Sequence, residues 1–153
     1  MAKNFRLFNI IHLAQVLAMA CFAIVSVVVV QMQLIEPVTS SLDRLLQLIA
    51  VLISVVMLFV GFRLFKSRIM KIREKTVDGP GRLANYRSAC IIWWALIEGP
   101  GLLSFTCFML TGNYAFFALG IFHLMILIMF TPKRDNIILL LDLSNKDLQI
   151  IEG

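Results

Sequence analysis

An all-α integral membrane fold, four transmembrane helices in a bundle with both termini on one side, is what this sequence predicts, and three observations predict it. Hydrophobic residues make up 60% of the 153 positions and charged residues only 15%, outside the range of water-soluble domains. The apolar residues gather into four runs, over about residues 7–32, 45–66, 86–112 and 114–131. Each reaches or nearly reaches the roughly 17–25 residues that a spanning helix requires. The basic residues are distributed unequally between the connections, which orients the bundle.

The first run follows Lys3 and Arg6, and Ala18-Met19-Ala20 before Cys21 is similar to a signal cleavage site. The apolar stretch nevertheless continues to Val30, further than a cleaved leader needs, so a retained helix is expected. Glu36 through Ser41, EPVTSS, is rich in turn formers and makes a short outer loop. Ser40 or Ser41 is placed to cap the second helix, with Asp43 and Arg44 at headgroup level. Beyond residue 62 that helix should run on, because Phe62, Phe65, Ile69 and Ile72 keep helical spacing. Arg63, Lys66, Arg68, Lys71, Arg73 and Lys75 cover the remaining surface and are expected to contact anionic lipid headgroups.

Asp78-Gly79-Pro80-Gly81 reverses the chain before the third run, as a turn in preference to a phosphate-binding nest. Gly112-Asn113 joins the last two runs tightly, so they should be antiparallel neighbours. Residues 133–153 form an amphipathic cytoplasmic tail that packs on the bundle or on a partner. Within it, residues 137–141 are too short to span, and Ser144 with Asp147 is a weak cap signal for a last short helix.

All Lys and Arg except Arg44 lie at the N-terminus, between Arg63 and Arg87, or after Phe130. The positive-inside rule therefore puts both termini and the middle loop in the cytoplasm of a bacterial inner membrane. The excess of +5 charges reports topology and lipid contact; no basic–aromatic motif points to nucleic acid. Cys21, Cys90 and Cys107 match no metal or redox spacing and read as small apolar packing residues.

Glu98 is the only acid inside a spanning run. An ionisable group at that depth costs several kcal/mol, roughly, unless it is paired, hydrated or protonated, which makes it a site candidate. Counting about 1.5 Å per residue, Glu98 sits roughly 18 Å from the cytoplasmic end of its helix, and Gln15 and His123 about 12 Å from theirs. Contact of Glu98 with Gln15 or His123 is therefore expected, while Arg87 on the same stripe is about 16 Å away and out of reach. His12, Gln15, Met19, Phe22 and Ser26 share one face of the first helix; Gln47, Ser54 and Gly61 share one of the second; Gly120 and His123 share one of the fourth. These stripes should point inward.

Two readings of Glu98 compete. It binds a proton or a small cation together with Gln15, His12 and His123, or it fixes helix register as a hydrogen-bonded acid. Gly99-Pro100-Gly101 follows directly. Pro100 lacks an N–H, so the carbonyl of Leu96 loses its usual partner and a kink is expected there. Ala95 with Gly99, and Ala14 with Ala18, are small-xxx-small pairs expected to let helices approach closely. No Ser–His, paired-carboxylate or metal-ligand constellation is legible, so no catalytic residue, metal or cofactor is assigned.

Tyr86-Arg87-Ser88, Ala95-Leu96-Ile97-Glu98-Gly99-Pro100, Leu110-Thr111-Gly112-Asn113, Pro132-Lys133-Arg134 and Leu143-Ser144 resemble an uncharacterised family of small four-span inner-membrane proteins of Bacteroidota-type bacteria. That resemblance implies membrane placement and no chemistry. Around Glu98 the chain is also similar to rotary ATPase proteolipid subunits, in which a carboxylate among small residues binds the translocated ion; the repeated glycines of the proteolipid inner helix have no counterpart here. The expected role is a non-catalytic accessory or scaffolding subunit whose partners are lipids and other subunits or itself. The alternative is an ion-binding oligomer that uses Glu98.

Overall fold

The computed structural model describes residues 3–74 and 79–143, and these form five α-helices: α1 (Lys3–Gln31), α2 (Ser40–Glu74), α3 (Gly79–Thr111), α4 (Tyr114–Met129) and α5 (Arg134–Leu141). The first three are long and apolar enough to cross a membrane; α4 is apolar but has 16 residues. At about 1.5 Å per residue it is roughly 24 Å long, against a hydrocarbon core of about 30 Å. The helix expected over 114–131 thus stops at Met129, because Pro132 supplies no N–H to carry it further.

α3 is the axis. Half of its most apolar window is buried, against 17% for the corresponding windows of α1 and α2. Close fit of side chains marks the packing of these helices: rings on one helix meet glycines on another. A Cβ at Gly61 of α2 would fall 2.6 Å from Cζ3 of Trp93, and one at Gly120 of α4 would fall 2.5 Å from Cε1 of Phe105. α1 lies over Trp94, where the Phe8 and His12 rings stand 5.1 and 4.7 Å from the indole, centre to centre.

The predicted inward stripes are inward. Met19, Ser26, Ser54, Gly61, Gly120 and His123 are buried, and Gln15, Gln47 and Phe22 are half-buried. The small-xxx-small pairs are a correction. Ala14, Ala18, Ala95 and Gly99 are all exposed, and a Cβ at Gly99 would meet nothing within 4 Å. Spacing identifies a shared face but not its direction, and the aromatic–glycine contacts claim the opposite side of α3. Cys21 is exposed as well, unlike the buried Cys90 and Cys107.

The ends of α3 differ from expectation at one end only. The helix starts at Gly79, not near residue 86. Pro80 is accommodated because N–H groups of a first turn have no helical acceptor to lose. Residues 75–78, with Lys75 and Asp78, lie outside the described residues, as do 144–153 with Ser144 and Asp147. The C-terminal end is as read: Gly112 takes φ +68°, and its N–H reaches the Phe108 carbonyl at 2.8 Å.

Asn113 then caps α4, its side-chain oxygen accepting from the Ala115 N–H at 3.0 Å. Its Nδ2 donates to both oxygens of Asp43, at 3.0 and 3.3 Å, so Asp43 ties α2 to the α3–α4 turn. α2 begins at Ser40, one residue after Thr39. It continues without interruption to Glu74, with Ile69 and Ile72 buried and Phe65 half-buried, while Phe62 points outward. α5 closes the same end: Ile137, Leu141 and Leu143 are buried, and Arg82 donates to the carbonyls of Leu141 and Asp142 at 3.5 and 3.4 Å.

Replacing Gly61 by valine should lower stability by about 1–3 kcal/mol, because Trp93 must be displaced. Gly99→Ala, in open space on a helix, should be neutral or raise stability by up to about 1 kcal/mol. Thermal unfolding in a mild detergent separates the two; equal losses would contradict this packing. Asn113→Ala should cost about 1–2 kcal/mol and speed amide exchange in the first turn of α4.

Candidate functional site

The half-buried middle of the bundle is built by α1 and α3. A helix that turns once every 3.6 residues puts His12, Gln15 and Met19 on one stripe of α1, and Trp94, Glu98 and Gly101 on the facing stripe of α3. Gln15 Nε2 donates to Glu98 Oε2 at 3.3 Å, and this is the carboxylate's only hydrogen bond among the described residues. One of the two expected partners is therefore present. Gln15 Oε1 is buried and has no hydrogen-bond partner there.

His123 is the partner that the structure does not supply. It is fully buried on α4 beside Gly101, where a Cβ would fall 3.0 Å from its own Cβ. Its Nδ1 lies 2.8 Å from the Leu119 carbonyl, which can only accept, so Nδ1 carries the hydrogen. Nε2 is then a bare acceptor, buried and unpartnered among the described residues. His12 is committed in a similar way: Nε2 donates to the Leu127 carbonyl at 3.0 Å, tying α1 to α4, and the ring packs edge-on to Trp94. The four ion-site candidates thus divide into one bonded pair, Gln15–Glu98, and two histidines held by backbone.

The Gly99-Pro100-Gly101 turn also divides. Gly99 faces outward, Pro100 and Gly101 are buried, and α3 is helical throughout. Gly101 faces both α1 and α4: a Cβ there would collide with the Met19 methyl group on one side and meet His123 on the other. Ser104 Oγ donates back to the Pro100 carbonyl at 2.7 Å. Sequence spacing alone did not reveal this use of Gly101, which depends on helices from both sides.

The basic extension of α2 presents Arg63, Lys66, Arg68, Lys71 and Arg73, all exposed, with Arg63 5.1 Å from the centre of the Phe59 ring. Among the described residues no group of three or more His, Cys, Asp and Glu side chains is placed to hold a metal ion. No protein family, curated sequence or solved structure matches this chain.

Gln15→Leu leaves Glu98 without its donor and should cost about 1–3 kcal/mol. The double variant Gln15→Leu/Glu98→Leu should cost less than the two single leucine changes added together, because no polar group is then stranded. Unfolding of the four proteins in one detergent measures the coupling; strict additivity would mean that the 3.3 Å bond carries no energy.

Proposed function

We propose that this chain is a small multi-pass protein of a bacterial inner membrane, with both termini cytoplasmic, that serves as a non-catalytic accessory or scaffolding subunit of a larger membrane complex. The observation that carries the reading is how the interior polar groups are used. His12 reaches the Leu127 carbonyl and Gln15 reaches Glu98, each joining one helix to another, and Asn113 reaches Asp43, joining the α3–α4 turn to α2. Polar chemistry of this kind specifies an arrangement of helices and leaves little for a substrate. Large apolar side chains meanwhile cover the outside of α1 and α2, among them Leu13, Leu17, Ile24, Leu48, Leu52 and Phe59. Lipid covers such a surface, and so do helices of other subunits.

In this reading α4, with Phe130 and Thr131, is the fourth span, shortened at its cytoplasmic end where Trp93 and Phe130 pack edge to face at 5.3 Å. The cytoplasmic side is the one carrying Arg63 through Arg87. Enzymatic activity is not part of the proposal.

A second reading rests on a specific feature: Gln15 Oε1 is buried beside the Glu98 carboxylate without a hydrogen-bond partner among the described residues. An oligomer that binds a proton or cation at Glu98 would use those oxygens.

Native mass spectrometry of the tagged protein, released from its own membranes, tests the choice. Other polypeptides at fixed ratio are expected; a defined oligomer of this chain alone would favour the ion-binding reading. Glu98→Gln should then leave growth and ion flux unchanged under the first reading and abolish flux under the second. For orientation, with Cys21 replaced by alanine, a cysteine at Ser41 should react with a membrane-impermeant maleimide in intact cells, and one at Ser67 should not.

A further inference from the structure

Three helices cover three sides of α3 and, among the described residues, leave the fourth open. α1 lies against Trp94 and Glu98, α4 against Gly101 and Phe105, and α2 against Trp93 and Leu96. At intervals of three and four residues, Ser88, Ile91, Ala95 and Gly99 point outward on the remaining face, between α1 and α2. Because Ala95 and Gly99 carry a methyl group or nothing, that face is a furrow with α3 as its floor.

One end of the furrow is charged. Arg68, Lys71 and Ile72 of α2 and Asn85 and Ser88 of α3 line an open cavity of about 190 Å³. Among the described residues no acid lines it; Glu74 lies on the neighbouring α2 surface with Arg63 and Lys66, a surface that Lys71 also borders. Two cations and two neutral polar side chains, brought together from two helices, match an oxyanion in charge and in hydrogen-bond donors. A guanidinium offers phosphate a two-pronged contact and an ammonium adds a point charge. Basic pockets between helices at the cytoplasmic side are a recurrent way of holding lipid headgroups.

We propose that this cavity and furrow hold one anionic phospholipid, its phosphate among Arg68, Lys71, Asn85 and Ser88 and one acyl chain along Ala95 and Gly99. The dimensions agree. Ser88 to Gly99 is about 16 Å along the helix, close to the roughly 15 Å of one hydrocarbon leaflet. The proposal rests on membrane insertion as proposed above, and it assigns to Arg68 and Lys71 a role that the other cations of α2 do not share.

The full chain, reconstituted in vesicles of phosphatidylethanolamine with a minor fraction of phosphatidylglycerol, would be released in mild detergent and weighed with its retained lipid. One phosphatidylglycerol per chain is expected. Arg68→Gln/Lys71→Gln should lower retention about tenfold or more, while Arg63→Gln/Lys66→Gln, which removes the same charge, should not. Ala95→Leu, which fills the furrow and leaves the headgroup cavity intact, should also lower retention. Equal loss in the two charge pairs would overturn the site in favour of diffuse surface attraction. No retained lipid, indifference to Ala95→Leu, or displacement of the lipid by inorganic phosphate alone would overturn it too. Alkaline carbonate extraction reads the membrane premise separately: protein that stays in the pellet but binds no lipid loses only this site, and protein that is extracted loses the premise as well.

Discussion

A large ring on one helix can pack at close range only where the facing helix has no side chain, and this bundle depends on that constraint. Trp93 occupies the space over Gly61, Phe105 the space over Gly120, and Met19 with His123 the space over Gly101. In each case α3 contributes one member of the pair. In the proposed membrane setting, helices of similar hydrophobicity would gain little by exchanging lipid contact for contact with each other, so shape would supply the selectivity. Three such interlocks, with partners on three different helices, fix both the rotation of α3 and the neighbours it accepts.

Hydrogen bonds complete what the interlocks begin. Backbone groups of a helix are satisfied internally, so an interior side chain that needs a partner must find it on a neighbour or on its own preceding turn. Asn113 and Asp43 hold one end of the bundle, His12 and Leu127 hold the other, and Gln15 with Glu98 lies between. The weakest of these is the central one. A single 3.3 Å contact from a neutral amide is modest support for a carboxyl group in apolar surroundings, and the same geometry therefore underlies both functional readings of Glu98.

Much of this is legible in the sequence. The stripes of polar and small residues on α1, α2 and α4 were expected to turn toward the other helices, and they do. The tight α3–α4 turn was legible from Gly112 and Asn113, whose chemistry allows a positive φ and a helix cap. Two things were not. Ala95 and Gly99 satisfy a packing pattern that says nothing of which side receives a neighbour, and the aromatic residues on the other faces of α3 decided that. Gly79-Pro80-Gly81 reads as a breaker wherever it stands, yet in a first turn a proline costs no hydrogen bond. The Asp43–Asn113 contact joins residues far apart in the chain, and no local signal marks it.

The outward turn of Ala95 and Gly99 bears on what the protein is for. A small-residue face that packed a helix of this chain would be spent on folding. Turned outward, it lies beside Glu98 on α3, the most deeply buried of the three long helices, and is reached only between α1 and α2. Whatever fills that furrow touches the helix that positions all the others, while a molecule bound to the outside of α1 or α2 touches one peripheral helix. A lipid seated there would set the separation of α1 and α2, and with it the shape that the bundle offers to neighbouring subunits. The proposed scaffolding role and the proposed anionic lipid site would thus be mechanically connected: both would act through the spacing of helices around α3, and neither requires a catalytic group.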